Sequence, residues 1–141
     1  MKVLTFGTFD ILHPGHISFL KQAKEYGDYL VVIVGRDETV KKIKGKYPRN
    51  SELDRLNKLN KLDFVSNVRL GKLKDPYGVI EEERPDIICL GYDQESFTQD
   101  LEKKIKEFKL NTKVVRLKAY RPEKYKSSLL GQNSTRTRSN I

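Results

Sequence analysis

Tryptophan is missing from this chain; cysteine and methionine occur once each and histidine twice. A single cysteine, Cys89, cannot close a disulfide within the chain, so no disulfide framework holds the fold. It lies in the apolar run DIICL (residues 86–90), where a buried, inert thiol is expected. No apolar run approaches the ~20 residues that cross a bilayer, so no membrane association is expected. The short apolar start lacks the cleavage pattern of a secretory signal, and an intracellular, cytoplasmic protein is expected. No Ser–His–Asp order or activated cysteine points to acyl transfer. The two histidines lack third and fourth partners at zinc-site spacing. The G-x-G-x-x-G dinucleotide fingerprint is missing. No RNP, KH or zinc-finger pattern occurs, nor any interleaving of aromatic and basic residues, so nucleic acid is not the expected partner.

What is present is a chain of 141 residues, 37% hydrophobic and 33% charged, enough for one domain with a single core. Its net charge of +9 is unevenly spread. Residues 1–100 carry 16 basic and 16 acidic side chains, whereas residues 101–141 carry 12 basic and 3 acidic. The whole excess therefore lies in the C-terminal part, a pattern that recruits polyanions: nucleic acid, or a nucleoside triphosphate with a phosphorylated acceptor.

The densest chemistry lies in residues 5–17, TFGTFDILHPGHI. Both histidines fall here, separated only by Pro14 and Gly15, directly ahead of an amphipathic stretch. A strand-to-helix turn of this kind makes an anion site, because free backbone N–H groups and the positive end of the helix dipole face the ligand. His13 and His16 add side-chain donors. Pro14 pre-sets a first helical turn, and Gly15 permits close approach to the backbone.

Along the chain, KVLTFG (2–7) reads as a buried strand. Ile17, Leu20, Ala23 and Tyr26 fall at helical spacing over 15–27, with Gly27 as C-cap. YLVVIV (29–34) is a β-branched run typical of a strand covered on both faces. These three form a βαβ unit. A short helix is expected over 37–43, then a polar loop, 42–50, which is either a solvated connection or a mobile basic lid with Lys44 and Lys46 flanking Gly45. Ser51 and Asp54 predict a capped helix to about Leu62, on which Arg55 has either an exposed or a ligand-facing place. Strands are expected over 64–70, 86–90 and within 113–118, and helices over 76–84 and 98–109. Residues 127–130 start a final helix, and 131–141 lack apolar periodicity and read as a disordered tail beyond a domain of residues 1–130. The expected fold is α/β: a Rossmann-like open parallel five-stranded sheet with helices on both faces.

The spacing G-T-F-D-x-L-H-x-G-H resembles the signature of the cytidylyltransferase-like nucleotidylyltransferases. That resemblance implies nucleotidyl transfer, in which positioning and charge stabilisation carry most of the catalysis. It implies that His13 and His16 donate to the α-phosphoryl oxygens and that a divalent cation, Mg²⁺, bridges phosphate oxygens. The late R-T-x-G-I-S-T motif of the CTP-dependent branch does not occur; residues 121–128 read RPEKYKSS. IVGRDETV (33–40), LGYDQ (90–94) and VRLKAY (115–120) instead resemble archaeal-type FAD synthases, which are FMN adenylyltransferases. The resemblance implies ATP and FMN as substrates. It places nucleotide contacts at Thr8, Phe9, His13, Pro14, Gly15, His16, Asp93 and Tyr120, and contacts to the β- and γ-phosphates at Lys44, Lys46 and Arg55. A homodimer is expected by analogy with the superfamily. The alternatives are a CTP-dependent enzyme acting on glycerol-3-phosphate or another phospho-alcohol, a sugar-phosphate nucleotidylyltransferase, and a nucleotide- or RNA-binding protein that keeps the fold without the catalysis.

Overall fold

β1 (Lys2–Gly7) is the central strand of the sheet, and the chain winds outward from it in both directions. A computed structural model describes residues 1–91, 94 and 100–118. The elements that follow are α1 (Pro14–Lys24), β2 (Tyr29–Val34), α2 (Asp37–Lys44), α3 (Glu52–Asn60), β3 (Asn67–Leu70), α4 (Gly78–Glu83), β4 (Ile87–Leu90), α5 (Leu101–Glu107) and β5 (Lys113–Arg116). Among the described residues one sheet forms, in the order β3-β2-β1-β4-β5, with every pair parallel. The chain leaves β3 and returns on the far side of β1, so the order reverses between β1 and β4. At such a switch point the connections diverge and leave a crevice beyond the strand ends.

Both faces of the sheet are covered, which is why β2 lacks polar alternation. Leu30, Val32 and Val34 join Val3, Phe19, Leu20, Ala23 and Leu59 in a core beneath α1 and α3. Val31 and Ile33 point the other way, to Leu4, Val79, Ile80, Leu101 and Ile105 beneath α4 and α5. Cys89 is fully buried, and burial pushes its thiol up to about 12, so it is a protonated core residue at neutral pH. No helix among the described residues is long and apolar enough to cross a membrane.

Two boundaries show why the structure departs from expectation. The third strand begins at Asn67 rather than 64, because the backbone at Ser66 is already committed to the start of β2. Ser66 N–H donates to the Leu30 carbonyl and its hydroxyl accepts from Leu30 N–H, both at 2.9 Å. Phe64 and Val65 still pack against the core, from a turn. Helix α1 ends at Lys24 and is capped by Glu25 in right-handed geometry, not by Gly27; Tyr26 is exposed. Gly27 serves a different need: a Cβ there would run into the Met1 carbonyl and come within 2.9 Å of Val3 Cγ2. The segment 98–99, the residues 127–130 and the stretch 131–141 lie outside the described residues.

The Gly27 contact generates a prediction. Gly27→Ala should destabilise the fold by about 1–3 kcal/mol through overpacking against β1. Urea denaturation checks this, and a variant as stable as the wild type would show that the strand entry yields without cost.

Candidate active site

The turn after β1 is shaped by two residues in close contact. A Cβ on Gly7 would lie 2.5 Å from the Phe9 ring, so glycine is required for that ring to fold back under the strand end. Phe9 adopts φ 52°, a left-handed conformation rare for an aromatic residue, and its side chain is buried. Backbone strain of this kind persists where surrounding packing over-determines it, and it clusters at ligand sites. The ring meets His16 edge-on, with centroids 5.5 Å apart and planes at 67°.

The HPGH sequence itself forms a helix cap. His13 is the N-cap of α1, in extended geometry, and Pro14 occupies the first turn. His13 Nδ1 accepts from Gly15 N–H at 3.0 Å, and His16 Nδ1 accepts from His13 N–H at 3.3 Å. Two imidazoles thus take the places that a hydroxyl and a carboxylate hold in the usual capping box. The rings stack with centroids 3.8 Å apart. Because Nδ1 accepts in both, the neutral form of each carries its proton on Nε2. The cap therefore turns two general-purpose side chains into two Nε2–H donors. Gly15 gives its own N–H to His13 rather than leaving it free.

The charge state of His16 follows from its place. Burial lowers its pKa to about 4, helped by the neighbouring charges of His13 and Lys44, while a hydrogen bond with the Ile11 backbone acts in the opposite sense. At neutral pH it is an uncharged donor.

A second layer holds this turn in place. The Asp10 carboxylate accepts from Arg49 N–H at 2.8 Å and from Asn50 N–H at 2.9 Å, and Asn50 Nδ2 donates to the Asp10 carbonyl at 2.6 Å. Burial pushes the Asp10 carboxyl up, but these hydrogen bonds and the Arg55 charge more than offset it, so its pKa is lowered overall. Asp10 thereby ties the segment that follows Lys46 to the histidine turn. Arg36 grips the Glu52 carboxylate at 3.2 Å, and the starts of α2 and α3 cap one another. Asp37 N–H donates to Glu52 Oε1 at 2.8 Å, and Glu52 N–H donates to Asp37 Oδ2 at 3.3 Å. No local pattern could reveal a cap shared between helices 15 positions apart.

Arg55 departs from both readings of the sequence. It is 0% exposed, and its guanidinium donates to the carbonyls of Asn50 (3.0 Å), Thr8 (2.9 Å) and Gly35 (2.8 Å) and to Asp37 Oδ1 (2.7 Å). With those donors engaged it braces the strand ends from behind and is neither an exposed residue nor one facing the pocket.

At the switch point a cavity of about 700 Å³ opens over the C-terminal ends of the strands. Thr8, Phe9, His13, His16 and Lys44 line it. Pro14, Gly15, Lys46 and Arg55 do not; Lys46 is exposed on the far side of Gly45, which caps α2 at φ 86°. Asp93 and Tyr120 lie outside the described residues. Gln94, the last residue of LGYDQ and one whose role no sequence pattern signals, closes the crevice floor. Its Oε1 accepts from Gly91 N–H at 3.1 Å, and its Nε2 donates to the Phe6 carbonyl at 3.2 Å, joining the ends of β4 and β1. Arg116 holds the same turn through the carbonyls of Gly91 and Gln94, at 2.7 and 2.9 Å. Among the described residues no group of three or more acidic, histidine or cysteine side chains could hold a metal ion.

An open parallel sheet with a histidine-capped turn at its switch point defines a nucleotidyltransferase-type site. The chain belongs to the cytidylyltransferase-like family, whose model matches residues 4–133. Its relatives narrow that class. The FAD synthase of Pyrococcus horikoshii is 42% identical over 137 residues, covering 96% of this chain and 93% of the relative. That of Aciduliprofundum boonei is 43% identical over 120 residues, covering 85% and 80%. A crystal structure of a lipopolysaccharide core biosynthesis protein from Thermoplasma volcanium is 42% identical with a TM-score of 0.77, covering 82% of this chain and 94% of that one. A pantoate–β-alanine ligase from Francisella tularensis, 19% identical with a TM-score of 0.62 over 86% of this chain and 60% of its own, shares the fold.

Two expectations follow from the site. As pH falls, the unfolded chain protonates its histidine before folded His16 does, so stability is complete above pH 6.5 and declines from there toward about 4. Melting curves across that window should show a weaker pH dependence in His16→Gln; parallel curves would remove the burial argument. Arg55→Leu should cost about 3–5 kcal/mol, because Asp37 and the buried carbonyls lose their partner. Arg55→Lys should recover only part of this, since an ammonium lacks the planar fork, and full recovery in chemical denaturation would show that charge alone suffices.

Proposed function

We propose that this protein is an FMN adenylyltransferase. A terminal phosphate oxygen of FMN attacks the α-phosphorus of ATP, the bond to the bridging α–β oxygen breaks, and pyrophosphate leaves as FAD forms. The observation that carries the reaction class is the reciprocal histidine cap, with Nδ1 of each ring accepting a backbone N–H at the mouth of the switch-point cavity. The choice of ATP and FMN is supported by relatives named FAD synthase that match nearly the whole chain. A cytoplasmic setting accords with these substrates.

In this mechanism the chain's work is positioning and electrostatics. His13 and His16 donate from Nε2 to the non-bridging α-phosphoryl oxygens as charge builds on them. His16 is uncharged at neutral pH, so it stabilises this charge as a fixed donor rather than as an acid. The N-terminus of α1 adds the positive end of its dipole. Lys44, on the cavity wall, supplies a point charge for the β- and γ-phosphates. Lys46 follows the Gly45 cap and reaches phosphate only if that segment turns inward. A divalent cation such as Mg²⁺, brought in with ATP, would offset phosphate charge and would need few ligands from the protein. Thr8 and Phe9 line the nucleotide's side of the cavity, and Asp93 and Tyr120 are proposed to close it.

The test is a substrate matrix with Mg²⁺, offering FMN, glycerol-3-phosphate or a sugar phosphate, each with ATP or CTP, read by pyrophosphate release and product chromatography. FAD should form from FMN and ATP, and turnover confined to CTP would overturn the assignment. His16→Ala should lower kcat by about 10²–10³ in a protein that still folds, with a melting temperature lowered only by the loss of half the helix cap. Retained turnover in that variant would remove His16 from the chemistry.

A further inference from the structure

The cavity extends well beyond the two histidines, and its character changes across the sheet. On the β4 side it is lined by Gly91 and the polar Gln94. On the β2–β3 side Ile33, Val34, Val40, Ile43 and Pro76 add aliphatic surface among the polar side chains of Arg36, Thr39 and Lys72. Two large aliphatic side chains lining this cavity are left in water: Ile11 is 52% exposed and Ile43 55%. Neither is used by the core clusters.

Ile43 is the more informative. Helix α2, DETVKKIK, holds only two large aliphatic residues, Val40 and Ile43, on one face three positions apart. Val40 is buried in the fold, whereas Ile43, one turn on, overhangs the cavity beside Lys44. A helix otherwise built of charge and threonine gains nothing in solubility from an isoleucine there. Ile11 has the same anomaly from the other connection, lying between Asp10, which anchors the loop, and the histidine cap.

We infer that Ile11 and Ile43 form an apolar clamp for the isoalloxazine ring of FMN. This rests on the FMN adenylyltransferase reading. An acceptor that attacks at the histidines must place its phosphate there and its remaining bulk in the same cavity. A flavin carries a charged phosphate and a broad, largely apolar ring joined by a polyol chain. The cavity offers the matching sequence: donor groups at His13 and His16, then exposed aliphatic surface at Ile11 and Ile43. The nucleotide occupies the opposite side, toward the β4 turn. Covering the two isoleucines with the ring would remove from water the exposed apolar surface that they present in the free enzyme.

The experiment is steady-state kinetics on the full chain with Ile43→Ser, Ile11→Ser and the double variant, each substrate varied in turn. Both positions are exposed, so melting temperatures should stay near the wild type. KM for FMN should rise about tenfold per substitution, while KM for ATP shifts by less than about twofold. Ile43→Leu should retain wild-type FMN affinity, because it keeps the apolar surface. Quenching of flavin fluorescence on titrating protein into FMN should weaken in step. A double variant that still makes FAD with an unchanged KM for FMN would overturn the clamp and leave the adenylyl-transfer reading standing. Equal rises for FMN and ATP would also overturn it. A wild-type protein that makes no FAD at all would remove both readings together.

Discussion

The buried guanidinium of Arg55 holds the ends of β1 and β2 in register with each other and with α3. A parallel sheet leaves carbonyls unpaired where its strands end, and a buried carbonyl without a donor is costly. Here the Thr8 and Gly35 carbonyls lie just past the two central strands, and one Arg55 nitrogen serves both, at 2.9 and 2.8 Å. A lone buried cation would itself be unfavourable, and Asp37 at 2.7 Å supplies the compensating charge. The path of the chain at Thr8 decides where Phe9 turns left-handed, and Phe9 in turn sets the wall against which His16 packs. The histidine cap therefore depends on an arginine that never reaches the cavity.

In the proposed mechanism one sequence element serves both folding and chemistry. His13 and His16 begin a helix by accepting backbone N–H groups, and the same hydrogen bonds select the tautomer that donates from Nε2. Burial then keeps His16 uncharged. For phosphoryl chemistry this is advantageous: a neutral donor held in place does not depend on ambient proton concentration and needs no reorganisation as charge develops. Asp10 extends the arrangement by fastening the loop after α2, at Arg49 and Asn50, to the histidine turn.

Legibility in the sequence followed interaction range. The βαβ unit and the two-sided burial of YLVVIV were readable because periodicity and β-branching act over a few residues. The Ser51 cap was readable for the same reason, and its hydroxyl accepts from Asp54 N–H at 3.2 Å. The third strand is shorter than its sequence suggests: Phe64 and Val65 are as apolar as strand residues, while the bond at its entry comes from Leu30, far back in the chain. Glycine near a helix end commonly caps it, but what Gly27 meets is the Met1 backbone. Arg55 defeated both readings offered for it, since nothing local signals that a charged side chain will meet carbonyls from two strands.

By itself the sequence determined the class of fold, the place of the reactive turn and, through GTFDILHPGH, the kind of chemistry. These depend on local propensity and on the contiguous spacing of donors, which a linear pattern records. Only the tertiary structure decided what each side chain does there. It assigned Arg55 to bracing, Asp10 to anchoring and Gln94 to joining β4 with β1. It also left Ile11 and Ile43 in water at the cavity's mouth. Those roles arise where segments distant in sequence converge beyond the strand ends, and burial, charge compensation and hydrogen-bond satisfaction are properties of that convergence.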